Sequence, residues 1–167
     1  MSLAHLLTRQ ARQRPDAPAI LEGRRVHATH GQWAARCAGM AARLRDAGLQ
    51  PGDRVLIFAR NHPRYLETLW GLWWAGVVAV PVNAKLHPRE VEWIAADCGA
   101  RCAFVTADVA PAPLAGIERQ IDLESHEAAE LLAEAPDAFA VPVTERSLSD
   151  TAWLFYTSGT TGRPKGV

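Results

Sequence analysis

Val55-Leu56-Ile57-Phe58-Ala59 is five apolar residues in a row, uninterrupted by a polar one. An amphipathic helix or a strand with one wet face would break such a run; left whole, it reads as a strand covered on both faces, as in a parallel sheet. The same kind of run returns at Val77-Val78-Ala79-Val80 and at Cys102-Ala103-Phe104-Val105. Between the first two lies a helical stretch over 63–75, with Asn61 as its expected cap, Pro63 in its first turn and Gly76 closing it. Between the second and third, Pro88 opens a helix that runs to Cys98 and stops at Gly99, with Asn83 and His87 as turn and cap residues before it. Strand, helix, strand, helix, strand predicts an α/β fold: a doubly wound, mostly parallel sheet with helices on both faces.

Outward from that frame, Ser2 caps a first helix whose Leu3, Leu6, Leu7 and Ala11 form one apolar stripe, and Pro15 stops it. Gly23 sits between two short apolar runs, a hairpin pattern. Thr29 and Gln32 form a capping box for a helix carrying Trp33, Cys37, Met40, Ala41 and Leu44 on one face, ended by Gly48 with Leu49 beyond it. Downstream of Thr106, a short strand is expected within 117–123 and a helix over 126–135. Residues 136–150 read as an exposed connector, and Thr151-Ala152-Trp153-Leu154-Phe155-Tyr156 as a further buried strand. Residues 1–150 thus form an α/β subdomain, and residues 151–167 a strand with the loop it feeds.

The totals exclude several classes. Eighteen basic residues balance eighteen acidic ones, mixed along the chain, so no charge field points to nucleic acid or a membrane surface. No apolar run reaches the length of a membrane span, and there is no leader pattern. Three cysteines without a Cys-x-x-Cys pair suit a reduced, cytoplasmic setting better than a disulfide framework. The six histidines show no metal-ligand spacing, His27 and His30 included. Cys98 and Cys102 read as small core hydrophobes.

The chemistry is concentrated at the end of the chain, in Thr157-Ser158-Gly159-Thr160-Thr161-Gly162-Arg163-Pro164-Lys165-Gly166. Glycines let backbone N–H groups close on an anion, small hydroxyls (Thr157, Ser158, Thr160, Thr161) add donors without bulk, and Lys165 adds a mobile charge. This is a phosphate cradle by composition. It is not a Walker loop, because Lys165 follows proline and precedes glycine rather than a hydroxyl.

The run Tyr156 to Gly166 resembles the phosphate-loop signature of the adenylate-forming superfamily: acyl- and aryl-CoA synthetases, luciferases and peptide-synthetase adenylation domains. The segment Leu72-Trp73-Trp74-Ala75-Gly76-Val77-Val78-Ala79-Val80-Pro81-Val82-Asn83 is similar to a second family element in the same register. Asn83 and Thr160 match the acyl-CoA synthetase branch rather than the peptide-synthetase one. His30 and Gln32 depart from the family, which often has tyrosine and glutamate there.

The resemblance implies a carboxylic acid activated by ATP to acyl-AMP and passed to coenzyme A, with Mg²⁺ sharing the phosphate charge. Thr157, Ser158, Gly159, Thr160, Thr161, Gly162 and Lys165 would bind the departing phosphates, and Arg163 would be solvated. The family's adenine and acyl pocket and its C-terminal lysine have no counterpart here, so no catalytic residue and no metal ligand is assigned, and these 167 residues alone are expected to be inactive. The loop is expected to be mobile or held by a neighbouring molecule. A peptide-synthetase-type fragment and a non-catalytic nucleotide-binding module are the other readings. Trp70 and Trp73 read as core. Trp74, at a position where the family often has lysine, reads as outward-facing, a contact patch for a second copy or a missing domain.

Overall fold

The computed structural model describes residues 2–158 and 164–167. Helix α1 (Ala4–Gln13) leads into a hairpin of β1 (Pro18–Glu22) and β2 (Arg25–Thr29), then α2 (His30–Asp46). The central layer follows: β3 (Arg54–Phe58), α3 (Pro63–Trp74), β4 (Val78–Val82), α4 (Pro88–Cys98), β5 (Cys102–Val105) and β6 (Arg119–Asp122), with α5 (His126–Leu131) after it. The four strands β3 to β6 lie side by side in the order β4-β3-β5-β6, all parallel. The chain leaves β3 toward one edge through α3 and comes back past it through α4, so the two helices land on opposite faces. Val55, Ile57, Phe104 and Ile121 bury against α1, α2 and α3, whereas Leu56, Phe58, Val80 and Val105 bury against α4. The α/β, doubly wound, mostly parallel sheet is therefore as the apolar runs predict.

Local signals act as expected at most boundaries. Thr29 and Gln32 close a capping box on α2. Gly48 and Gly76, at φ of +90° and +78°, end α2 and α3 in the same way, with Leu49 N–H donating to Leu44 O at 3.0 Å and Val77 N–H to Leu72 O at 2.9 Å. The cap of α3 is His62, not Asn61: the His62 Nδ1 accepts from Arg64 N–H at 3.1 Å. His87 caps α4 through the same ring atom, and Glu90 reaches back to its N–H.

Three expectations need correction. The helix over 126–135 ends at Leu131, because the following residues are claimed by α2: Arg43 donates to Ala133 O at 2.9 Å and Ala135 N–H to Ala35 O at 3.0 Å. Residues 136–150 are not merely an exposed connector. A 3₁₀ turn at Ala138–Ala140 leads into a strap that crosses the end of α3, where Arg45 donates to Pro142 O and to Thr144 Oγ1, both at 2.8 Å. That strap covers Trp74, which is 1% exposed and donates its indole N–H to Val141 O at 3.1 Å. Trp74 therefore presents no contact patch to a second copy or a missing domain.

Candidate functional site

Residues 151–156 do not form a strand buried on both faces. A single parallel bridge joins Trp153 to Ala79 of β4, with Ala79 N–H donating to Ala152 O at 3.1 Å and Leu154 N–H to Ala79 O at 2.9 Å. Exposure alternates along the segment, and Trp153 and Phe155 are 43% and 42% exposed. An apolar run at a sheet edge has one strand neighbour rather than two, which the composition of the run alone does not reveal. Trp73 fixes the segment from beneath, donating to Ala152 O at 2.8 Å and meeting the Trp153 ring edge-on at 5.2 Å.

Because this segment runs parallel to β4, it delivers the chain to the C-terminal end of the sheet, where open α/β sheets hold their ligands. There it becomes a hairpin. Strand β7 (Tyr156–Ser158) pairs antiparallel with β8 (Pro164–Gly166) in the register Tyr156 to Gly166, Thr157 to Lys165 and Ser158 to Pro164. Phe155 and Val167 close its base by exchanging both backbone hydrogen bonds, at 3.1 and 2.7 Å. Directly paired residues share a face, so Thr157 and Lys165 stand side by side, both exposed. Of the expected cradle residues, Thr157 and Lys165 are thus brought side by side at the neck of the hairpin, and the backbone of Ser158 pairs with Pro164. Gly159, Thr160, Thr161, Gly162 and Arg163 lie outside the described residues.

The opposite face of the hairpin rests on α4. Leu154 and Tyr156 pack against the α4-side core, Trp93 meets the Tyr156 ring edge-on at 6.2 Å, and the Tyr156 hydroxyl donates to Asp97 Oδ2 at 2.6 Å. Burial, and then the Asp97 carboxylate, push the Tyr156 phenol well above its usual range, so it remains a donor. Gly166 lies under this ring: a Cβ there would sit 3.2 Å from Tyr156 Cζ and 3.2 Å from Leu154 Cδ1. Sequence reading passed over Asp97 and Trp93. Their i, i+4 spacing on α4 was the available signal, but nothing local shows which side chain that face meets.

A second polar cluster, also missed, lies within the α2–α3 packing. Glu67 is 1% exposed and accepts from Arg36 Nη1 at 2.6 Å, and its carboxylate is 3.0 Å from His27 Nε2. A cavity of about 300 Å³ ringed by Arg54, Arg101 and Arg119 opens at the other end of the strands. Its guanidinium groups are already engaged by Cys98 O, Glu118 and Glu127. Among the described residues no group of three or more His, Cys, Asp or Glu side chains could hold a metal ion. Nor is any helix among them long and apolar enough to cross a membrane.

Comparison with known proteins agrees with this geometry. The profile of the AMP-binding enzyme family matches residues 7–167. A feruloyl-CoA synthase of Amycolatopsis is 40% identical over 162 residues, covering 95% of this chain and 31% of its own length. A fatty acid–[acyl-carrier-protein] ligase of Streptomyces coeruleorubidus is 38% identical over 162 residues, covering 94% and 30%. Among solved structures, the inhibitor-bound N-terminal domain of FACL13 from Mycobacterium tuberculosis superposes with a TM-score of 0.85 at 30% identity, covering 99% of this chain and 43% of that one. The chain spans about a third of the length of the curated relatives it matches. With its parallel sheet and its edge hairpin, the chain belongs to the AMP-binding enzyme family, the adenylate-forming acyl-CoA and acid ligases, and corresponds to the N-terminal portion of their domain.

Proposed function

We propose that this chain is the N-terminal part of an ATP-dependent acid–thiol ligase, an acyl- or aryl-CoA synthetase, and that its hairpin binds the pyrophosphate leaving group. In the first step a carboxylate oxygen attacks the α-phosphorus of ATP. The bond to the bridging oxygen of the β-phosphate breaks, and pyrophosphate departs with the electron pair. In the second, a coenzyme A sulfur attacks the acyl carbon, its proton is lost and AMP leaves. The charge gained by the departing phosphates is what the protein must stabilise. Lys165 and Thr157, paired across the hairpin at the C-terminal end of the sheet, are the observation that supports this role. Ser158, Thr160, Thr161 and the amides near Gly159 and Gly162 would complete the cradle. Mg²⁺ would enter with the nucleotide and share its charge.

In this reading residues 1–150 are the supporting α/β layer and residues 151–167 the phosphate-binding edge of a cytoplasmic enzyme. The 167 residues alone turn nothing over, since the remainder of such a ligase supplies the acid and thiol sites. The aryl substrate of the feruloyl-CoA synthase relative makes ferulate a sensible first acid to try. The test is ATP–pyrophosphate exchange by the intact protein. Lys165→Ala should slow exchange by about 10²-fold, the usual cost of one transition-state donor, and Thr157→Ala by about tenfold, the value of a modest hydrogen bond to a charged group. Exchange at the wild-type rate in Lys165→Ala would remove the basis of the proposal.

A further inference from the structure

The hairpin of β7 and β8 is a two-stranded ribbon, and such ribbons have little stability of their own. It is joined to the parallel sheet by the isolated bridge at Trp153, four residues before its first phosphate-facing position, Thr157. Something beyond that bridge must set its angle. On its inner face the side chain that reaches back to the body is Tyr156, which lies edge-on to Trp93 and ends on Asp97. Trp93 and Asp97 are one turn apart on α4, so the ring and the hydroxyl of one tyrosine are gripped by one helix face. Tyr156 directly precedes Thr157 and lies across from Gly166, beside Lys165. Any tilt of the tyrosine therefore moves both proposed phosphate ligands together.

We propose that Asp97, acting through the Tyr156 hydroxyl with Trp93 at its side, is a positioning residue for the nucleotide phosphates. It holds the hairpin so that Thr157 and Lys165 face the departing pyrophosphate. This deepens the ligase reading above and rests on it. Asp97 touches no phosphate itself. It is exposed at the end of α4, so its replacement leaves the core intact. Glycine at 166 belongs to the same device, because a side chain there would press on the tyrosine ring from the other strand.

Two measurements on the intact protein test this: amide hydrogen exchange at residues 156–158 and 164–166, and the KM for Mg-ATP in pyrophosphate exchange. Asp97→Ala and Tyr156→Phe should each speed amide exchange and raise the KM by about five- to tenfold, as expected for a lost hydrogen bond to a charged group. Turnover at saturating ATP should change much less. Asp97→Asn, whose amide oxygen still accepts the phenol proton, should recover most of both effects. The double variant Asp97→Ala/Tyr156→Phe should be little worse than either single one. Unchanged exchange and KM in Asp97→Ala would overturn the proposal, and so would faster exchange with an unchanged KM, which would leave Asp97 a purely structural anchor. A wild-type protein that binds no Mg-ATP would sink the ligase reading instead, and the amide exchange alone would then decide whether Asp97 holds the hairpin.

Discussion

Replacing Arg36 with methionine should destabilise the protein far more than replacing Glu67 with leucine, although the two substitutions break the same ion pair. The Glu67 carboxylate is 1% exposed and has two side-chain partners, Arg36 at 2.6 Å and His27 at 3.0 Å. Removing Arg36 leaves a charge buried beside one imidazole, and a buried ion that loses its partner costs about 3–5 kcal/mol. Removing Glu67 is different. The Arg36 side chain is 22% exposed and keeps Glu134 at 3.3 Å, so it stays solvated and paired. An apolar replacement at Glu67 then costs about 1 kcal/mol or less. The double variant Arg36→Met/Glu67→Leu should regain most of what Arg36→Met loses. Urea unfolding followed by circular dichroism, extrapolated to water, reads all of this. Equal losses in the two single variants, or an Arg36→Met protein as stable as wild type, would refute the reasoning.

Trp74→Ala should cost about 3–5 kcal/mol in the same assay, as for other buried large-to-small changes, and sedimentation of the folded variant should match wild type, since the indole faces the strap and not a partner. Gly39→Ala should lower stability by about 1–3 kcal/mol despite alanine's better helix propensity, because its Cβ would lie 2.3 Å from Ala133 O. Burial pushes the Cys102 thiol from 9.0 up to about 11. At pH 8 its thiolate fraction is then about 10⁻³ folded against about 10⁻¹ unfolded, so alkylation by iodoacetamide should be roughly 100-fold slower before urea is added. The sign for stability follows. The folded value lies above the unfolded one, so this contribution is complete below pH 9 and is lost as the pH rises through about 11.

The parts of the molecule legible in the sequence are those coded over a few residues. The apolar runs at 55–59, 77–80 and 102–105 predicted the parallel strands because burial on both faces leaves no polar position in so short a segment. Thr29 with Gln32, Gly48, Gly76 and Gly99 marked helix ends because capping is decided within one turn. The family resemblance at the end of the chain was legible for the same reason: its glycines, hydroxyls and lysine are contiguous, and Thr157 and Lys165, the two phosphate ligands proposed here, pair across one hairpin.

Contacts between distant positions were not legible. Trp74 is covered by Val141, 67 residues on, and nothing in the short apolar stretch from Ala138 to Val143 says which helix it will cross. Glu67 is neutralised by Arg36, 31 residues away, and looked like any helix-surface glutamate until α2 was laid against α3. The apolar run at 151–156 read as a buried strand and is half-exposed, since among the described residues it has a strand, β4, on one flank only. Asp97 and Tyr156 are 59 residues apart and meet because α4 crosses behind the strand that feeds the hairpin. Hydrophobic period and capping act between neighbours along the chain, so a linear reading recovers them. Charge burial, shielding and loop orientation depend on which surfaces come to face one another, and that is known only once the helices are packed on the sheet.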